Sequence, residues 1–207
     1  MITVYGYPRS RSTRVVWMLE ELGVEYQFRK VDLMKGEGQG PDYQQINPGG
    51  KVPTLDHDGF VLTESAAILT YLGDQYPQSG LVPSAEDSEA RARYNEWCFF
   101  VLTELEQPLW TIGKHTFVHP EDKRVPEILP LAQWEFDRVL RVLDCKLAGR
   151  EFALGDRFSA IDILITHILR WAHAFKVNNA YEQLTAYRDR HSSRPALERT
   201  LACEDQA

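Results

Sequence analysis

The chain is poor in cysteine. It has three in 207 residues, Cys98, Cys145 and Cys203, odd in number and far apart. That usage argues against a disulfide framework and against a zinc site, both of which need paired or clustered thiols. The histidines, including His167 and His173, share no ligand spacing, so no metal is expected. Positive charge is also in short supply. With 23 Lys and Arg against 30 Asp and Glu, the formal charge is −7 and the pI about 5.4. Nucleic acid and membrane surfaces are therefore not expected as partners, because both attract a positive face. No apolar run approaches the roughly 20 residues that span a bilayer. Met1 leads straight into a strand-like run, ITVYGY, with no basic, apolar or small-residue leader pattern, which gives a cytoplasmic expectation. Internal repeats and low-complexity tracts are absent.

What is present is enough apolar material, 43% of residues, for a packed core. Residues 1–77 read as an α/β unit. ITVYGY is a strand, and after the turn PRSRS the apolar positions Val15, Val16, Met18, Leu19 and Leu22 follow helical spacing up to Gly23, a natural C-cap. EYQFRKVDL reads as a second strand, so the first crossover is a βαβ unit. A glycine-rich loop follows, with a short helix around Asp42–Gln45. KVPTLDHDGFVLTE then forms a hairpin on Asp58-Gly59, and ESAAILTYLGDQYP a helix ended by Gly73 or Pro77. The order βαβ-(α)-ββα is that of a thioredoxin-like fold. Residues 78–88, rich in Pro, Gly and Ser, read as a linker. Residues 89–207 lack strand alternation and read as an all-α domain, with helical faces at Tyr94, Trp97, Cys98, Val101, Leu102 and Leu105 and at Phe136, Leu140, Leu143 and Leu147. SAIDILITHILRWAHAF is apolar on nearly all sides and belongs in the middle of a bundle. Its Ser159 and Asp162 fit an acidic capping box, a structural role.

Two short segments carry the chemistry. Val52-Pro53, in NPGGKVPTL, can offer a free backbone N–H and C=O at an unpaired strand edge. Glu64-Ser65, in LTESAAIL, sits where a helix N-terminus can hold a carboxylate. Together they outline a pocket for a small peptide. In the first turn Arg9, Arg11 and Arg14 bracket the hydroxyls of Ser10, Ser12 and Thr13, an arrangement suited to a small anion.

These motifs, in this order and over essentially the whole chain, resemble the cytosolic glutathione S-transferase family. The resemblance implies a homodimeric transferase that uses glutathione as co-substrate. It implies that Pro53 is cis, that Val52 pairs its backbone with the cysteinyl part of glutathione, and that Glu64 and Ser65 hold the γ-glutamyl end. Lys51, for the glycyl carboxylate, and Asn47 are further candidates.

Catalysis then means forming the thiolate, since a free thiol with a pKa near 8.5 is mostly protonated at neutral pH. A hydroxyl donating to the sulfur stabilises the anion. By likeness to the serine-type classes Ser10, four residues before Arg14, is the choice. Ser12 and Tyr5 are the rivals, with Tyr7 also in reach, and Ser12 has an alternative duty as the helix N-cap. No cysteine lies in this turn, which argues against a glutaredoxin-like activity. Trp110, His115 and Phe117, with Arg11, are candidates for the electrophile's pocket. The expected reaction is detoxifying conjugation of small hydrophobic electrophiles. The alternatives are a zeta-like isomerase or dehalogenase, for which the usual SSCS element is missing, and a non-catalytic scaffold.

Overall fold

Alternation on the first strand sets up the first unit. In a computed structural model describing residues 1–177 and 180–206, β1 (Ile2–Gly6) buries Ile2 and Val4 on one face and turns Thr3 and Tyr5 to the other. It pairs in parallel with β2 (Gln27–Lys30) and antiparallel with β3 (Thr54–His57), and β3 pairs antiparallel with β4 (Phe60–Thr63). The sheet order is β2-β1-β3-β4. Helix α1 (Ser12–Leu22) fills the crossover, burying Val15, Val16, Trp17, Met18 and Leu19, and ends where Gly23 adopts φ 66° and returns its N–H to Leu19. The β3–β4 turn uses Asp58 and Gly59, both at positive φ, the conformation a two-residue hairpin demands. A short helix, α2 (Pro41–Gln44), precedes β3, and α3 (Ser65–Gln75) follows β4. This is the thioredoxin-like arrangement.

Helix α3 runs past Gly73 and stops before Pro77. Gly73 has a packing duty instead: a Cβ there would lie 2.2 Å from Val82 Cγ2, so its bare backbone admits Val82. The segment read as a linker therefore packs in part, with Leu81 and Val82 buried.

The chain divides into two units, one built from Met1–Glu86 with the segment from Ser193 onward, the other from Asp87–Ser192. The last helix thus departs from the sequence expectation, which assigned all of 89–207 to the helical domain. Helix α9 (Pro195–Asp205) packs on α1, and its polar groups explain why. Arg194 grips Glu21 at 2.6 and 2.8 Å, and Arg199 reaches Glu20 at 2.7 Å. Buried Glu204 accepts from the Thr13 hydroxyl at 2.7 Å and from the Arg9 N–H at 3.1 Å.

In the second unit α4 (Ser88–Phe99), capped by Asp87 on the Ala90 N–H, passes through a π-helical stretch, Phe100–Leu105, into α5 (Glu106–Gly113) and a second π stretch, Lys114–Val118. Helices α6 (Leu129–Leu147), α7 (Ala160–Ala174) and α8 (Glu182–Ser192) complete it. Eleven of the fifteen α7 residues are buried, which makes it the inner helix, packed against α4 and α8. Ser159 and Asp162 form the capping box. The fully buried Asp162 carboxylate accepts from the Ser159 N–H and hydroxyl, each at 2.7 Å, from the Ala153 N–H at 2.8 Å and from the Tyr187 hydroxyl. Burial and that carboxylate hold the Tyr187 phenol well above its ordinary range, so it remains a donor. Among the described residues no helix is long and apolar enough to cross a membrane.

Two outcomes are expected. Asp162→Ala strands four donors in the interior and should cost more than about 3 kcal/mol, read as a lower urea midpoint, with Asp162→Asn in between. Glu204 behaves differently, because burial raises its pKa above the ordinary carboxylate value. The folded state then holds a proton that the unfolded chain has lost, so stability falls as pH rises from about 4.3 through the raised value. Glu204→Gln should remove that slope. Relative to the variant, the natural protein gains thermal stability as the pH is lowered from 7 towards 4.5.

Candidate functional site

The register of the sheet assembles the site. Tyr5 faces Thr54 across β1–β3, and Thr54 faces Thr63 across β3–β4. One residue further on, Gly6, Pro53 and Glu64 come side by side at the end of the sheet where α1 and α3 both begin. The Val52–Pro53 peptide is cis. β3 is an inner strand, and Val52 lies beyond its end, where the ladder has stopped. Helix α3 begins at Ser65, directly after Glu64, and the dipole of its N-terminus favours an anion there. The first N–H groups of α1 are already held by Ser10 and Arg11.

The turn from Tyr7 to Arg11 separates its two serines. Ser12 is fully buried, and its Oγ accepts the Tyr7 N–H at 3.1 Å. Ser10 is half-buried; its Oγ donates to the Tyr7 carbonyl at 2.6 Å and accepts the Ser12 N–H at 3.2 Å, with Ser12 Oγ 3.0 Å away. The capping duty read for Ser12 is not taken up: Ser12 is the first residue of α1 after Arg11 at the N-cap, and it braces the turn. Gly6 makes this possible, since a Cβ there would stand 2.5 Å from the Phe28 ring and 2.8 Å from Ser12 Cβ. Tyr5 is on the other face of β1. Its ring packs against Tyr43 of α2 with centroids 6.0 Å apart and carries the Arg29 guanidinium at 5.9 Å, so it is not brought to the hydroxyls.

The arginine cluster is dispersed as well. Arg9 is tied to Asp205 at 2.6 and 2.8 Å, fully buried Arg14 donates to Ser65 Oγ at 3.2 Å, and Arg11 sits half-buried at the N-cap of α1. The Arg14–Ser65 bond joins the two helix starts. Glu64 is exposed, with φ 66° and ψ 111°. Lys51 is exposed, while Asn47 is buried with its amide on the Lys51 carbonyl at 2.7 Å and its Oδ1 on the Gly49 N–H at 3.0 Å. Tyr43 and Thr54 share the Lys51–Asn47 circuit and were missed by sequence reasoning; Asn47 lies past the end of α2, so helical spacing gave no signal for the pairing.

In the helical unit Trp110 stacks on Trp171, Trp171 on Phe175, and exposed Phe117 meets Phe175 edge-on, at 6.3, 5.9 and 5.1 Å. Trp110 and Phe117 therefore belong to one strip of rings. His115 does not join it, because its Nδ1 accepts the Val125 N–H at 3.0 Å. The buried Cys98 thiol is pushed up to about 11 by burial, which leaves it protonated and unreactive.

A thioredoxin-like unit with this row at the end of its sheet, followed by a helical unit, defines the class. Residues 1–74 match the model for the glutathione S-transferase N-terminal domain and 107–195 that for its C-terminal domain. The chain is 32% identical over 189 residues to glutathione S-transferase GstA of Escherichia coli O157:H7, covering 90% of each. It is 31% identical over 212 positions to the disulfide-bond oxidoreductase YfcG of Escherichia coli K12, covering 97% of this chain and 94% of that one. A solved sphingomonad glutathione S-transferase in complex with glutathione is 32% identical, with a TM-score of 0.86 over 99% of this chain and all of that one. The chain belongs to the glutathione S-transferase family.

The two serines should separate by stability. Ser12→Ala orphans the Tyr7 N–H and should cost about 1–3 kcal/mol, whereas Ser10→Ala loses partly exposed bonds to the Tyr7 carbonyl and the Ser12 N–H, about 1 kcal/mol, in urea titrations of both variants.

Proposed function

We propose that this transferase binds glutathione along the Gly6–Pro53–Glu64 row and directs its thiolate, held by a hydrogen bond from Ser10, at an electrophilic carbon of a small hydrophobic compound. The sulfur's electron pair forms the new C–S bond and the leaving group departs with its own. Glutathione is co-substrate, consumed in each turnover.

The observation that carries this reading is Glu64. A non-glycine residue at φ 66° costs on the order of 1–2 kcal/mol, and an exposed side chain returns no packing for it. Such strain at the head of a helix is retained for what the side chain and the helix N–H groups can hold. Here that is an amino-acid end, with Glu64 for its ammonium and Ser65 with the α3 N–H groups for its carboxylate. The spacing along the row supports Val52 for the middle of the tripeptide and Lys51 for its far carboxylate. The Tyr7 carbonyl accepts both the Ser10 hydroxyl, at 2.6 Å, and the Ser10 N–H, at 3.3 Å, so it keeps a partner when the hydroxyl turns to the sulfur. A hydroxyl in place of a thiol in this turn supports conjugation over mixed-disulfide chemistry. For the electrophile, the ring strip of Trp110, Trp171, Phe175 and Phe117 supports an apolar acceptor. Exposed Phe60 and Val61 on edge strand β4 support self-association into a dimer.

The test is steady-state kinetics with a chlorodinitrobenzene-type acceptor, with maleylacetoacetate and a disulfide as competing substrates. Ser10→Ala should lower kcat by about 100-fold with little change in KM for glutathione. Glu64→Gly should do the reverse, gaining about 1 kcal/mol of stability from relieved strain while KM for glutathione rises at least about tenfold. Undiminished turnover in Ser10→Ala, or faster turnover of the disulfide or the isomerase substrate, overturns the assignment.

A further inference from the structure

Tyr43 and Asn47 direct their side chains to the same two groups. Tyr43 Oη lies 2.7 Å from the Lys51 carbonyl and 2.9 Å from Thr54 Oγ1; Asn47 Nδ2 lies 2.7 and 3.1 Å from the same pair. The hydrogens fix every direction. A carbonyl can only accept, so the single Tyr43 proton goes to Lys51, and Thr54 must then donate to Tyr43 Oη. Asn47 has two amide hydrogens, one for Lys51 and one for Thr54, and its Oδ1 accepts from Gly49. The circuit closes with each proton used once. All three side chains are buried, and burial raises the Tyr43 phenol pKa, so the donor persists through the neutral range.

We propose that Tyr43, Asn47 and Thr54 are positioning residues that set the Val52 backbone for glutathione, with Tyr5 as the ring that fixes Tyr43. The circuit grips the residue before Val52 and the residue after Pro53, so the peptide-pairing unit is held from both sides. The chain leading into it, Asn47-Pro48-Gly49-Gly50, has two adjacent glycines, Gly50 at φ 61°, and would otherwise sample many conformations. A backbone that pairs with a ligand binds tightly only when that freedom is removed beforehand. Tyr5 supports the circuit from behind, between the Tyr43 ring and the Arg29 guanidinium. This gives the tyrosine of β1 a part in ligand binding without contact to the sulfur.

The inference rests on the reading of Val52 as a glutathione contact, and the experiment separates the two. Glutathione binding by calorimetry and steady-state kinetics are measured for the natural protein, Tyr43→Phe, Thr54→Val and Thr54→Ser, with thermal unfolding alongside. Tyr43→Phe and Thr54→Val should each raise Kd and KM for glutathione about tenfold, with kcat at saturating glutathione changed less than about twofold. Thr54→Ser, which keeps the hydroxyl, should recover what Thr54→Val loses. If Tyr43→Phe fails to fold, the Thr54 pair carries the same comparison. Variants that lose thermal stability yet bind glutathione normally overturn the positioning role alone. A natural protein that ignores glutathione removes the parent reading and this one together.

Discussion

The antiparallel register of β1 against β3 is the constraint on which the rest of this protein depends. Side chains on a strand alternate with a period of two, so a slip of one residue would exchange the two faces of β3, placing Leu55 where Thr54 belongs, and carry Pro53 away from Gly6. The register is protected by what it buries: Val4 and Leu55, its direct partner across the pair, are fully inaccessible, and so is Thr54. Everything at the site inherits its place from that pairing. Gly6 admits Ser12, Ser12 shapes the Tyr7 turn, and the turn leaves Ser10 as the partly exposed hydroxyl.

Both units solve the problem of buried polar groups in the same way, by closed circuits in which each proton has one destination. In the helical unit Asp162 is the common acceptor for four donors at the start of the inner helix. In the first unit the Lys51 carbonyl is the common acceptor for Tyr43 and Asn47, and the Thr54 hydroxyl accepts from Asn47 and donates to Tyr43. Such networks are costly when incomplete and specific when complete. One anchors the helix that centres the bundle, and the other anchors the segment that contains the cis Val52–Pro53 peptide.

Much of this was legible in the sequence because it is local. Gly23 as a C-cap, Asp58-Gly59 as a hairpin turn, and Ser159 with Asp162 as a capping box are each decided within a few residues. The apolar circumference of 160–174 similarly announces an inner helix. What sequence could not disclose depends on partners far along the chain. Gly73 looks like a helix terminator until Val82 is seen to need its bare backbone. The three arginines of the first turn look like one cationic cluster until Asp205 and Ser65 claim two of them. Tyr5 and Ser12 stood as rivals of Ser10 in the sequence, and the alternation of β1 and the burial of Ser12, both decided by distant packing, set their surroundings apart from those of Ser10.

The packing of α9 on α1 has a consequence for how the protein is made. The unit that contains the Ser10 turn is discontinuous in sequence: Glu21, Glu20 and Thr13 await partners 173, 179 and 191 residues away. During synthesis the first 86 residues can form their sheet, yet the turn at Arg9 lacks the Glu204 carboxylate until residue 204 has emerged. The helical unit lies wholly between those two pieces and can fold first as an uninterrupted block. The bonds of Ser10 and Ser12 to Tyr7 are local and can form early, but the hold on Arg9 waits for α9, so a polypeptide interrupted before α9 carries the hydroxyl without the helix that braces Arg9.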